Sequence, residues 1–265
     1  MVQLICPVCG ERLRREKSAY ICPRRHSFDI ARSGYVNLLP SSGSGRHGDD
    51  KLMVRARTQF LDRGYYLPLA ERLAAIAAEE RPGVIVDAGC GEGYYTDIVS
   101  RAADGADTVG LDISKDAVAA AAKRCRRGTF AVASTVSMPL EDCCVDMVLN
   151  VFSPFFPVEF ARVLKPGGTL VRVIPLERHL HELRQLVYDS PYDNDVPPLE
   201  VPGFERAGTE ELRYAVDINN GGDISNLFMM TPYYYKTSTE GQARLRAAQR
   251  LTTQIEFGIV KYKKP

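Results

Sequence analysis

Four residues near the N-terminus have the types and spacing of a metal site. Cys6-Pro7-Val8-Cys9 and Cys22-Pro23-Arg24-Arg25-His26 give C-x2-C, a gap of twelve residues, then C-x3-H, the ligand types and spacing of tetrahedral zinc. A close cysteine pair on a turn supplies two thiolates, and the second pair closes the tetrahedron from the far end of a hairpin. Cys6, Cys9, Cys22 and His26 then leave no open position for catalysis, so the metal is expected to be structural. A segment of about forty residues also needs such a staple to fold. The alternative is a set of unpaired buried cysteines beside a chance histidine. A second cluster lies in Val84-Ile85-Val86-Asp87-Ala88-Gly89-Cys90-Gly91-Glu92-Gly93, an apolar run that enters a glycine-spaced turn and opens a helix. Gly89, Gly91 and Gly93 there would let the backbone approach a bound nucleotide or nucleoside closely. Asp112 ends the next apolar run about 20 residues further on, where a carboxylate can accept both ribose hydroxyls; its plainer role is to cap the helix at Ser114. Ser134 follows the third run, at the edge that would enclose an adenine ring, although loop packing would explain it equally.

The elements that must position these residues follow the order of an α/β sheet. Leu52 to Ala78 has helical spacing, interrupted near Gly64 and Pro68, which predicts two helices before the sheet. Apolar runs at Val84–Ala88, Thr108–Leu111, Phe130–Ala133 and Val145–Val151 alternate with helices from Tyr94 and Ser114, an order that implies a parallel sheet with helices on both faces. Lys165-Pro166-Gly167-Gly168 reads as a turn between a helix around Glu159–Leu164 and another strand, Thr169–Ile174. A helix over Glu177–Tyr188, a Pro-rich stretch to Pro202 and strands around Leu212–Val216 and Glu256–Tyr262 complete the chain. No internal repeat is evident. The domain reading is a zinc module over 1–40, a Ser/Gly-rich linker over 41–50 and one large domain over 51–265.

Composition bounds the partners. Thirty-four basic against 33 acidic residues leave a net charge of +1, so a nucleic-acid partner must be held by a local basic patch. Such a patch exists: Arg12, Arg14, Arg15, Lys17, Arg24 and Arg25 crowd the zinc segment with Tyr20 among them, a surface that could grip folded RNA through phosphates and bases. A merely solvated basic face is the alternative. No stretch approaches the roughly 18 apolar residues of a membrane helix, and Met1–Ile5 is too short for a signal peptide. Seven cysteines, an odd number with three in a metal pattern, fit a reducing compartment. The expected location is the cytoplasm, with no membrane partner.

The form D-x-G-x-G-x-G resembles class I S-adenosylmethionine-dependent methyltransferases. NAD-dependent dehydrogenases share the architecture, but their loop must leave room for a pyrophosphate at the helix N-terminus. Asp87 and Glu92 would repel it and suit the cationic end of S-adenosylmethionine. The expected fold is therefore a Rossmann-like methyltransferase domain behind an N-terminal zinc-binding module.

The motifs Cys6-Pro7-Val8-Cys9, Tyr20-Ile21-Cys22-Pro23, Arg25-His26, Gly34-Tyr35-Val36-Asn37-Leu38-Leu39 and Asp87–Tyr95 together resemble the RlmA family of 23S rRNA guanine-N1 methyltransferases. Phe60-Leu61-Asp62, Gly64-Tyr65-Tyr66, Leu164–Gly168, Arg178-His179-Leu180 and Glu182-Leu183 extend the resemblance over nearly the whole chain, and the combination is more specific than any one motif. The resemblance implies methylation of a guanine in a 23S rRNA hairpin near the nascent-peptide tunnel. It also implies cofactor contacts from Tyr66, the Gly91-Glu92 turn and His179, and it permits a homodimer. On residue type alone, Tyr66 would be a core aromatic and His179 a helix-surface residue. Gly48–Arg57 and Asn150–Pro154 look closer to the Gram-positive branch, whose members confer antibiotic resistance to tylosin-type macrolides.

Asn150, Ser153 and Pro154 follow the fourth strand, where related folds line a substrate pocket, although simple turn formation would account for them too. Tyr233-Tyr234-Tyr235 offers stacking surfaces for a displaced base. Cys143-Cys144 lacks a placed base and does not suggest covalent catalysis. No residue is singled out as the proton acceptor. Two other readings remain at this point: a methyltransferase of another RNA, a small molecule or a protein, with the zinc module as a recruitment element, and a catalytically silent RNA-binding module.

Overall fold

The structure is a computed structural model that describes residues 3–39 and 48–265; Ser41–Gly45 of the expected linker, with Arg46 and His47, lies outside the described residues. The N-terminal segment folds into a small antiparallel sheet, β1 (Arg14–Arg15), β2 (Ala19–Ile21) and β3 (Ser27–Asp29), in the order β1-β2-β3. The next strand, β4 (Val36–Asn37), leaves that sheet. It pairs in parallel with β7 (Thr129–Val132) at the edge of the large sheet.

The body is an eight-stranded sheet. Its parallel part contains β5 (Val84–Ala88), β6 (Asp107–Asp112), β7, β8 (Val145–Val151) and β9 (Leu164–Pro175), and a long antiparallel pair, β10 (Glu205–Ile218) and β11 (Leu251–Lys263), completes it. The order is β10-β11-β9-β8-β5-β6-β7-β4. Chain direction across the sheet therefore reverses between β5 and β8, which opens a crevice at the carboxyl ends of those two strands. β5 is nearly all apolar because both its faces are covered: Ile85 packs into one core, and Val86 and Ala88 pack into the other.

Helices α1 (Lys51–Asp62) and α2 (Leu67–Glu80) lie on the Ile85 side, joined through the break expected at Gly64 and Pro68. The Asp50 carboxylate caps α1 by accepting from the backbone N–H of Leu52 and Met53 at 2.8 and 2.9 Å, as expected for an acid at a helix start. Helices α3 (Tyr94–Ala102), α4 (Lys115–Arg124) and α5 (Pro157–Val163) follow β5, β6 and β8.

The last helix expected from sequence is shorter than its apolar spacing suggests. α6 covers only His181–Val187, because Leu180 takes a left-handed backbone (φ 57°) and turns the preceding residues toward the sheet. Lys165–Gly168 bulges within β9 rather than ending before it: Val145 pairs with Leu164, and Met147 pairs next with Thr169. Both late strands outrun their apolar patterns, β10 more than twofold, since β10 carries Glu205, Arg206, Glu210, Glu211 and Arg213 on a largely exposed face. Between them lie α7 (Gly221–Met229), a short 3-10 turn (Pro232–Tyr235) and α8 (Thr239–Ala247). No described helix is long and apolar enough to cross a membrane.

Candidate functional site

Cys6 and Cys9 flank a tight turn closed by the Gly10 N–H on the Cys6 carbonyl (2.9 Å), and Cys22 and His26 face them from the β2–β3 hairpin. The four ligand atoms lie within 4.8 Å of one another. Cys9 Sγ is 3.7 Å from Cys22 Sγ, and His26 Nδ1 is 3.5 Å from Cys6 Sγ and 3.4 Å from Cys22 Sγ. Zinc bonds of about 2.3 Å to sulfur and about 2.0 Å to nitrogen set tetrahedral edges of roughly 3.8 Å (S···S) and 3.5 Å (S···N). The three thiolates and one imidazole fit zinc in both chemistry and spacing. The module is not held by metal alone: Leu4, Cys6, Leu13, Cys22, Val36 and Leu38 share one core with Met138, Leu140 and Val145 of the body. Arg12 is paired across the surface with Glu141 of the body, Nε to Oε1 at 2.5 Å and Nη2 to Oε2 at 2.9 Å, and Arg24 lies 3.9 Å from Glu11. Arg14, Arg15, Lys17 and Arg25 stay exposed without an ion pair among the described residues.

A cavity of about 650 Å³ occupies the crevice beside β5, β6, β8 and β9. Asp49, Asp87, Glu92 and Asp112 line it, together with Arg57, Tyr66, Asn150, Ser153, Pro154 and His179. Gly89 and Gly91 form its floor. Gly89 has φ 91°, and a Cβ there would stand 2.3 Å from Ser153 Cβ, so no other residue fits. Gly93 (φ 81°) serves packing instead: its added Cβ would meet Ala121 Cα of α4 at 2.9 Å, and it does not line the cavity. Ser134 is also set apart. It sits half-buried in a turn, its hydroxyl accepting from the Val136 N–H at 3.3 Å, and it is not among the lining residues.

Four acids, two of them almost fully buried, crowd one side of the cavity. Burial raises the Asp87 carboxyl to about 7; the charges of Asp112 and Glu92 add to the rise, and a 2.6 Å bond from the Thr96 hydroxyl opposes it. Burial also raises Glu92, against the pull of Arg57, and its Oε1 has no hydrogen-bond partner. Asp112 is raised by burial although it accepts from the Gly91 N–H at 3.0 Å and the Ser114 N–H at 2.8 Å. Arg57, which lines the cavity among these acids, is ion-paired to Asp49. An excess of buried carboxylate with an orphaned oxygen is a receptor for a positively charged ligand.

On the opposite wall His179 Nε2 lies 3.5 Å from the Tyr66 hydroxyl. Burial, with a contribution from Arg184, lowers the imidazole to about 3, so it is neutral. Its Nδ1 accepts from the Glu256 N–H at 3.3 Å, which leaves the proton on Nε2 and turns it toward the phenol oxygen. Tyr66 can then point its own proton elsewhere in the cavity. Asn150 donates to Ser153 Oγ (2.6 Å) and to the Pro154 carbonyl (3.1 Å), while Ser153 Oγ donates to the Ala88 carbonyl (2.5 Å). These bonds tie the loop after β8 to the end of β5.

Arg57, Phe152 and Arg172 also line the cavity, and the sequence reading did not single them out. Arg172 left a trace, a lone cation in the apolar run Thr169–Ile174. Of the tyrosine triplet, Tyr233 is buried against Arg184, whose Nη1 donates to its hydroxyl at 2.8 Å, and Tyr235 is 71% exposed. Cys143 and Cys144 are not among the lining residues.

Residues 4–43 match the family model described as "RlmA, N-terminal", a zinc ribbon, and residues 86–172 match the methyltransferase-domain model. The chain is 35% identical to the 23S rRNA (guanine(748)-N(1))-methyltransferase of Streptomyces fradiae over 97% of this chain and 95% of that protein. It is also 35% identical, over 96% of this chain and 95% of the relative, to YxjB of Bacillus subtilis (strain 168), which is provisionally named a 23S rRNA (guanine-N1)-methyltransferase. Among solved structures, a provisionally named methyltransferase of Bacillus halodurans C-125 aligns with TM-score 0.50 at 17% identity, covering 74% of this chain and 98% of that one, a likeness of fold alone.

Proposed function

The chain belongs to the RlmA family of 23S rRNA (guanine-N1)-methyltransferases, and from that premise we propose how its own residues serve the reaction. It is an S-adenosylmethionine-dependent enzyme that methylates guanine N1 in 23S rRNA and carries a structural zinc. When bound, S-adenosylmethionine supplies an electrophilic methyl group on a sulfonium. Asp87, Glu92 and Asp49 would hold its cationic end, and the Gly89–Gly91 turn would let the backbone approach it. Asp112 has lone pairs left on both oxygens after accepting from Gly91 and Ser114, which suits it to ribose hydroxyls. Tyr66 and His179 close the opposite wall.

The observation that carries this reading is the acid-rich cavity at the topological switch point, with one buried carboxylate oxygen unpartnered. The exposed arginines and Lys17 of the zinc module supply the phosphate-gripping surface. The target guanine lies in the hairpin near the nascent-peptide tunnel, and resistance to tylosin-type macrolides follows from its methylation. N1 methylation blocks Watson–Crick pairing and arrests reverse transcriptase. Primer extension across 23S rRNA from cells with and without the gene is expected to give one gene-dependent stop in that hairpin. A gene-dependent stop elsewhere would move the target, and no stop would refute the reaction.

A further inference from the structure

Arg172 is a charge in a strand that otherwise has no use for one. It lies between Val171 and Val173 near the carboxyl end of β9, is only 9% exposed and lines the cavity. Its partner across the parallel ladder is Asn150 of β8. The guanidinium carbon sits 3.9 Å from the centre of the Phe155 ring, a stacking contact that fixes the plane of the fork. Nη1 makes one long bond, 3.4 Å, to the Pro198 carbonyl. Tyr262 of β11 is its titratable neighbour: burial raises the phenol, a side-chain hydrogen bond with Arg172 and the charge of Arg172 lower it, and Arg206 and Glu200 also act on it. Among the described residues no carboxylate lies within ion-pairing distance of Arg172. The acids of the cavity, Asp49, Asp87, Glu92 and Asp112, come from the other side, before α1 and from the β5 and β6 loops. A buried cation without a counter-ion carries a desolvation cost that a bound anion offsets.

The chemistry proposed above generates such an anion. Resting on that reading, we propose that Arg172 is a catalytic residue that donates N–H bonds to guanine O6 and stabilises the negative charge formed when N1 loses its proton. The N1 proton passes to solvent water or buffer base at the open mouth of the cavity. The electron pair left on N1 forms the new N–C bond, and the pair of the breaking S–C bond stays on sulfur, which becomes a neutral thioether. Charge delocalised from N1 onto O6 peaks before methyl transfer, so a fixed donor there favours ionisation without opposing the attack. Phe152, 43% exposed at the same wall with a left-handed backbone (φ 53°), offers its ring as a stacking face for the base.

The test uses the full chain, saturating S-adenosylmethionine and a 23S rRNA fragment that contains the target hairpin. Single-turnover rates are measured across the pH range in which guanine N1 ionises, and cofactor affinity is measured by calorimetry. Arg172→Met is expected to keep cofactor affinity and lower the saturated rate on the order of 100-fold. The pH at which its rate levels off should also move upward. Arg172→Lys, which keeps the charge but loses the fork, should fall between it and the wild type. A raised KM with an unmoved pH profile would assign Arg172 to an RNA phosphate and overturn the proposal. Loss of cofactor binding in both variants would make it part of the framework, with the same consequence. If the wild type leaves no primer-extension stop, the functional reading itself fails. A wild-type stop together with a wild-type pH profile in Arg172→Met sinks only the role of Arg172.

Discussion

Asp87 sits in an environment far from an aspartate's ordinary one, and its titration can be followed in solution. In the folded chain its carboxyl is held up to about 7, first by burial and then by Asp112 and Glu92. An unfolded aspartate ionises near pH 4. The folded state therefore binds the extra proton between those values. The resulting stability is complete below the unfolded value and is lost as pH rises through about 7. The cofactor-free protein should accordingly show a falling thermal midpoint between about pH 5 and about pH 8, with a shallower fall in Asp87→Asn. Glu92 and Asp112, also raised by burial, contribute in the same direction. A cationic ligand reverses the balance by favouring the ionised acids, so cofactor binding on the acid side of neutrality should release protons. Calorimetry in buffers of different ionisation heat reads this directly; a binding enthalpy independent of buffer would show that these carboxylates do not face the ligand.

At the level of elements, what the sequence revealed was what a short stretch of chain determines by itself. The C-x2-C and C-x3-H pairs were legible because zinc geometry is set by local turns. The β5–α3 turn was legible because its glycines must adopt positive φ within five residues. Tyr66 and His179 are 113 positions apart, and no periodicity joins them; only the resemblance to a family did. Arg57 and Arg172 reach the cavity from α1 and β9, elements that read as ordinary amphipathic helix and buried strand. β10 was half hidden because its exposed face alternates charge with small apolar residues and so dilutes the strand pattern. Ser134 followed the right strand, but the turn after β7 bends its hydroxyl onto the backbone of Val136. The coupling between elements can be measured. The zinc module shares a core with Met138, Leu140 and Val145, so Cys9→Ser should release the metal and also lower the thermal midpoint of the whole chain, by roughly 5 °C or more. A metal-free variant whose main transition is unmoved would mean that the module and body unfold independently.

For the whole molecule, a net charge of +1 leaves RNA binding to the arrangement of charge rather than its sum. Arg12 is bound to Glu141 of the body, whereas Arg14, Arg15 and Arg25 face solvent. Replacing those three by alanine should lower the slope of log affinity against log salt by about two and leave cofactor affinity unchanged; a slope equal to that of the wild type would remove this face from the RNA interface. The parallel pairing of Val36 with Ala131 and Asn37 with Val132 bears on how such enzymes can be recombined. A strand that enters the catalytic sheet from the zinc module side means that a junction cut through 41–50 exchanges the zinc module and an edge of the catalytic scaffold in one piece. A chimera that imports a foreign zinc module must therefore also match β7 of its host, or it leaves that strand with bare hydrogen-bonding groups open to neighbouring molecules. The zinc module and the catalytic domain of this chain are not free to be shuffled as independent cassettes.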